Sequence, residues 1–354
     1  MGGVIVREVN ENAAESRLMR RREFVGAMTM LALCPWVSAR AERKGLYRLR
    51  APLTQPLQGI YPALFEGELI VCGGGVSLEL QPASSNHSYI YSLREDSWRV
   101  GPALPSALSR PYLVNYQQKL LAIGGYHETE GSVRQVLSLD SLSARWQRYL
   151  ELPEARAAFA AAAIDSRLII SGGRKLMVSN VDLLPRYVNA AETFVYYAGY
   201  WHAARPMPTP RSHCATVVLE GRMHVIGGRQ QVFLKGEERL RNLVDHEVYD
   251  PESGRWYRLA PLPQTHADCA AAVYGGMIYL FGGEGVIAPR RVSKEVWQYD
   301  PSLNRWQSMP PMPVPRHALG AVSMVDGIHL VGGSEKAGSA KVSTRHSVYH
   351  PEGK

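Results

Sequence analysis

Arg110, Arg156, Arg174, Arg211, Arg229 and Arg316, with His213, His266, Asp268 and Glu284, are the residues whose placement could do chemistry. They recur at fixed offsets from six Gly-Gly pairs, at 73–74, 124–125, 172–173, 227–228, 282–283 and 332–333 of the 354-residue chain. Sixteen positions before each first glycine stand Leu57, Leu108, Arg156, Arg211, His266 and Arg316. Two residues later come Gly59, Arg110, Ala158, His213, Asp268 and Ala318. Directly after the pairs come Gly75, Tyr126, Arg174, Arg229, Glu284 and Ser334. The set is mainly basic, and arginine offers a planar fork to a carboxylate or phosphate. Glu284 is a candidate general base if burial raises its pKa.

Other chemistry has no sequence support. The Gly-Gly pairs lack the continuation of a phosphate-binding loop. There is no H-x-x-x-H or C-x-x-C spacing for zinc and no G-x-S-x-G elbow, and we expect neither metal nor cofactor. Cys214 and Cys269 stand at equivalent offsets and read as small buried residues. Asn86-His87-Ser88 matches a glycosylation acceptor by chance if the source is bacterial. Formal net charge is +8, spread through the loops rather than gathered in a run, so a nucleic-acid partner is not expected.

The elements that must position these residues follow from the spacing. Trp98, Trp146, Trp201, Trp256 and Trp306 each lie 26 residues before the next pair's first glycine, and Tyr47 fills that slot before Gly73. The length variation falls between the first glycine and the next Trp, 22 to 29 residues. Trp201 leads to Pro206-Met207-Pro208, Trp256 to Pro261-Leu262-Pro263 and Trp306 to Pro311-Met312-Pro313. A small-residue apolar run, a turn and a second apolar run follow, as in Ala270–Val273, Gly275-Gly276 and Met277–Phe281. Such runs, bounded by Gly and Pro, indicate short antiparallel strands.

This pattern resembles the Kelch repeat over residues 46–350. The resemblance implies an all-β, six-bladed β-propeller with four strands per blade and the tryptophans in the core. The last pair is followed by one strand, Arg345–Tyr349, before the chain runs out. Leu46–Arg50 is therefore expected to complete the sixth blade and close the ring, which removes free edges. Strand alternation puts the loop before each first strand and the segment after each Gly-Gly on one face, around the mouth of the central channel. The arginines there either meet a ligand or partner or brace the loops. The longest variable segments follow Gly173 and Gly228 and carry Arg174, Lys175, Arg186, Tyr187, Lys235, Arg239 and Arg241, building up one side of the rim.

The N-terminus reads as an export signal over residues 1–41. Arg20-Arg21-Arg22-Glu23-Phe24-Val25 precedes a short apolar stretch and an Ala39-Arg40-Ala41 site. The arginines before Phe-Val resemble a twin-arginine signal, with an ordinary secretory signal as the alternative. Met19 is a second candidate start. Removal of residues 1–41 takes away six basic and four acidic side chains, leaving +8 − 2 = +6, and three cysteines, too few for a disulfide framework. The reading is a periplasmic or secreted monomer without stable membrane insertion.

Two functions remain open. One is a scaffold that binds a protein partner or a small anionic ligand at the mouth. The other comes from resemblance to bacterial N-acetylneuraminate mutarotases, and implies turnover of an acidic sugar. The copper-radical oxidases of the galactose oxidase type have seven blades, and Tyr126-His127 is the one suggestive pair here.

Overall fold

The computed structural model describes residues 46–78, 81–177, 186–234, 237–286 and 289–351. The export signal read at 1–41 and Lys235 lie outside them. Each pair of apolar runs becomes an antiparallel hairpin. Ala270–Tyr274 pairs with Met277–Phe281 across the Gly275-Gly276 turn, where both glycines have positive φ. A third and an outer strand complete each blade. In blade 5 these are Val296–Asp300 and Arg305–Met309.

Blade 1 starts at Ala63–Phe65, blade 2 at Tyr112–Tyr116, blade 3 at Ala160–Ile164 and blade 4 at Ala215–Leu219. Blade 6 is assembled from both ends of the described chain. Gly320–Met324, Gly327–Val331 and His346–His350 are joined by Leu46–Leu49, with Tyr47 opposite Tyr349 and Leu49 opposite Ser347. The closing strand expected from the repeat phase is therefore in place. The architecture is an all-β six-bladed propeller.

The Gly-Gly pairs join blade to blade. The second glycine of each pair donates its N–H to a carbonyl of the next blade: Gly74 to Leu108, Gly125 to Arg156, Gly173 to Arg211, Gly228 to His266, Gly283 to Arg316 and Gly333 to Leu57, at 2.7–3.0 Å. A Cβ on the first glycine would lie only 2.1–2.8 Å from the same six carbonyl oxygens. All these glycines also have positive φ, so two independent constraints select the residue.

At the rim a second ladder runs the other way. Each Trp indole N–H donates to a carbonyl in or just beyond the outer strand of the preceding blade: Trp98 to Ala51, Trp146 to Pro102, Trp201 to Glu151, Trp256 to Arg205 and Trp306 to Ala260, at 2.8–3.0 Å. Tyr47 takes this place in blade 6, its hydroxyl reaching Pro310 O at 3.5 Å. Trp146 and Trp306 are core residues as expected. Trp98, Trp201 and Trp256 are only half-buried, because the outer strand leaves one ring face near solvent.

Two buried histidine pairs lie in the seams. His224 Nδ1 is 2.9 Å from His246 Nε2 in blade 4, and His329 Nδ1 is 2.8 Å from His346 Nε2 in blade 6. Their partners pack on the next blade: His246 against Tyr299 and Trp306, His346 against Tyr91 and Trp98. Burial pushes His224 down to about 4, His346 to about 3, and His246 and His329 below the usual imidazole range. The folded state therefore binds fewer protons than the unfolded one below pH about 6.5. Stability is fully present above that pH and is lost as pH falls from about 6.5 toward 4 for His224 and toward 3 for His346, at up to about 1.4 kcal/mol per pH unit for each histidine. Thermal unfolding from pH 7.5 to 3.5 should show this acid-side decline. The double variant His224→Gln/His246→Gln should flatten it, and an unchanged slope would contradict the assignment.

Candidate functional site at the channel mouth

The loop before each first strand and the residue after each Gly-Gly meet on one face. Gln58 bridges Gly75, Ser109 bridges Tyr126, Ala157 bridges Arg174, Ser212 bridges Arg229 and His317 bridges Ser334; Glu284 N donates to Ala267 O at 2.9 Å. Inside this ring Gly59, Arg110, Ala158, His213, Asp268 and Ala318 all have φ between 51° and 62°. Backbone N–H groups of Gly59, His213, Asp268 and Ala318 donate around the axis to the preceding blade.

Not all the sequence-selected residues reach the mouth. Arg156, Arg211 and Arg316 are fully buried. The Nη1 of each donates to the carbonyl of its own blade's first glycine, Gly172, Gly227 or Gly332, at 2.9–3.0 Å. Each also reaches a carbonyl just before the third strand: Glu192, Asp245 or Arg345. These arginines latch the Gly-Gly corner to the blade, so they are bracing groups rather than ligand contacts. His266 does the same through Nδ1 to Gly282 O at 2.9 Å, while its Nε2 accepts from Trp297 Nε1 at 3.0 Å. Arg211 also meets the fully buried Glu247. Arg316 instead bonds Ser347 Oγ, and burial with the neighbouring Arg345 guanidinium pulls it down to about 10.

Arg110, Arg174, His213, Arg229 and Glu284 do converge. Arg110 Nη1 is 2.7 Å from Asp268, and Arg229 Nη2 lies 3.8 Å from Asp268 and 2.9 Å from Glu284. Burial opposes ionisation of Asp268, but the Arg110 and Arg229 guanidiniums outweigh it and hold the carboxyl well below the usual range. His213 is pushed well below its ordinary value by burial, with Arg110, Arg229 and Arg174 adding to the shift. The expected basic mouth is thus largely neutralised by its two acids. Donor atoms of Asp268, Glu284 and His317 lie within 4.8 Å of one another, but the two guanidiniums already stand where a cation would be held. Beneath them Tyr61, Arg110, His213, Cys214, Asp268 and Cys269 line a cavity of about 10 Å³, room for one water and no more.

Arg174 differs from its neighbours. Among the described residues it has no carboxylate partner, and its guanidinium lies 4.6 Å over the Tyr187 ring. Tyr187 meets Tyr126 edge-on at 5.6 Å. The Tyr126 hydroxyl is buried without a hydrogen-bond partner among the described residues. Burial pushes that phenol up to about 12, against the pull of Arg174 and Arg110.

The two long variable segments form β-hairpins beside this cluster. Arg174–Met177 pairs with Arg186–Asn189, and Arg229–Leu234 with Glu237–Asn242. Asn189 bolts them together: Oδ1 accepts from Gln231 N at 2.6 Å, and Nδ2 donates to Ser212 Oγ and to Arg229 O. Lys175 is paired with Glu192 and Glu154, and Arg241 bonds Gln230. The raised wall leaves Leu176, Met177 and Leu240 exposed at 37%, 50% and 36%.

The repeat has known counterparts. The Kelch motif matches residues 210–263 and 266–313, which span blades 4 and 5. Kelch-like protein 36 of Rattus norvegicus is 27% identical over 222 residues, 62% of this chain and 35% of that protein. Beta-scruin of Limulus polyphemus is 24% identical over 226 residues, 60% of this chain and 24% of that protein. The F-box/kelch-repeat protein At1g16250 of Arabidopsis thaliana is 27% identical over 176 residues, covering 47% and 44%. The chain spans about a third of the length of the first of these relatives, 35%. Together with the strand pairing, these matches show Kelch repeats in a six-bladed propeller.

Proposed function

We propose that the protein is a binding scaffold that docks an acidic segment of a protein partner on the hairpin-walled mouth. The observation that carries this is Arg174. Among the described residues it is a cation without a carboxylate partner, held in place by stacking on Tyr187, beside a phenol with a hydrogen bond to give. A carboxylate there would receive a charge-assisted bond from Arg174 and a second from Tyr126. Holding the guanidinium in advance lowers the ordering cost of binding. Leu176, Met177 and Leu240 would supply the adjacent apolar contact.

The alternative, turnover of an acidic sugar, needs Glu284 free to take a proton. Its Oε1 accepts from Arg229 and its Oε2 from Gly338 N, both at 2.9 Å, and the cavity beneath it among the described residues is only about 10 Å³. These contacts favour binding over catalysis.

Screening against a peptide library with Asp or Glu at varied positions should select acidic peptides with a neighbouring apolar residue. Affinity should fall with added salt. Arg174→Glu should weaken binding by about 30-fold or more, as for a central anchor. Equal binding of the same peptides by Arg174→Glu would contradict the reading.

We further propose that the chain is exported, on the strength of Arg21-Arg22 before Phe24-Val25 and the apolar stretch that follows. A reporter fused to residues 1–45 in a bacterium with twin-arginine export should reach the periplasm. Arg21→Lys/Arg22→Lys should stop it, and cytoplasmic retention of the unaltered fusion would contradict export.

A further inference from the structure

We propose that blade 2 carries a second binding site, separate from the mouth, for an uncharged and hydroxyl-rich ligand such as a neutral saccharide. Blade 2 departs from the other five. Its third strand, Gly131–Leu139, has nine residues and its outer strand, Gln147–Arg156, has ten, against four or five elsewhere. The two strands do not stay in register. Val133 faces Arg156, but Gln135 faces Glu151, so residues 152–155 stand opposite Arg134 alone. Such bulges bend a strand and re-aim its side chains, and they are frequent beside functional sites.

Splaying of the two strands opens a cleft of about 790 Å³. That volume is in the range of small-molecule sites, roughly 300–1,000 Å³. Val133 and Leu137 give it an apolar floor; Arg134, Gln135, Arg148, Tyr149 and Glu151 line it above. Arg134 Nε spans the gap to Leu152 O at 2.8 Å, and Gln135 Nε2 reaches Ser106 Oγ of the loop from blade 1 at 3.5 Å. These contacts set the walls.

The lining chemistry selects the ligand class. Two cations, Arg134 and Arg148, are matched by two anions, Glu130 and Glu151, so the cleft offers an ion no net field. Arg134 and Glu151 are 3.7 Å apart with side chains 52% and 61% exposed, a loose pair whose hydrogen-bonding capacity is largely open. Arg148 has no carboxylate partner among the described residues. Arginine donors and glutamate acceptors side by side suit hydroxyl groups, which both give and accept. The Tyr149 ring itself packs against the apolar cluster between blades 2 and 3, so recognition falls to these polar groups. The mouth, by contrast, presents Arg174, a cation without a carboxylate partner among the described residues, and shares no lining residue with this cleft.

The test is saturation-transfer NMR on the full chain. The probes are neutral saccharides (maltose, cellobiose, galactose, N-acetylglucosamine) and acidic ones (glucuronate, N-acetylneuraminate). At least one neutral saccharide should bind, and 0.5 M salt (about a tenfold rise from 0.05 M) should leave its affinity unchanged, since no counter-ion is displaced. Arg148→Ala and the conservative Glu151→Gln should each weaken it by about tenfold, while Arg174→Glu leaves it intact. Melting temperature checks that each variant is folded. No transfer to any neutral saccharide, unchanged binding by both cleft variants, or tighter salt-sensitive binding of the acidic sugars would each overturn the proposal.

Discussion

The structure depends on one contact made at every seam. A glycine N–H reaches into the next blade, and the glycine before it lets that carbonyl approach. With a hydrogen there instead of a methyl group, the blades close to bonding distance; with any side chain they could not. A disc of six sheets gains stability only if all its seams close together, because one open seam would expose two apolar faces. The pairing of Leu46–Leu49 with His346–His350 completes the last blade, so the seams on both sides of it can form.

That contact also determines what the mouth can do. The bonded carbonyl belongs to Arg156, Arg211, His266 or Arg316 in four of the seams, and the side chains of these residues turn back to fasten the neighbouring Gly-Gly corner. They are used up in holding the frame. The residues left over for recognition are those on the added hairpins, above all Arg174, and those on the irregular edge of blade 2. Function is thus carried where the chain departs from the repeat, on a scaffold kept rigid by it.

Much of this was legible from spacing. The invariant interval from Trp to glycine gave the blades, their closure by Tyr47 and the shared face. The long segments after Gly173 and Gly228 were placed on one side of the rim, where two hairpins stand. The latch role was harder to read, because an offset places a Cα on a face but does not aim its side chain. A signal was present: Leu57 and Leu108 occupy that offset in blades 1 and 2, and both are buried. The charge balance was misjudged because Asp268 serves Arg110, three blades away, a pairing that sequence distance hides. The histidine pairs also had a signal. His224 and His329 each stand three residues before a first glycine. Blade 2 gave no warning, since its segment from Gly124 to Trp146 is the shortest of all, 22 residues, yet it holds a nine-residue strand, and a ten-residue one follows the Trp.

The account is tested most directly by the unfolding free energy of Gly282→Ala set against Gly221→Ala. Both glycines have positive φ, +64° and +70°. The new methyl at 282 would lie 2.1 Å from Arg316 O, whereas at 221 it meets nothing within 4 Å. Gly221→Ala should cost about 1 kcal/mol, the backbone strain alone. Gly282→Ala should cost about 3 kcal/mol or more, because the seam must part as well. Equal losses at the two positions would contradict the claim that close approach at the seams holds the propeller together.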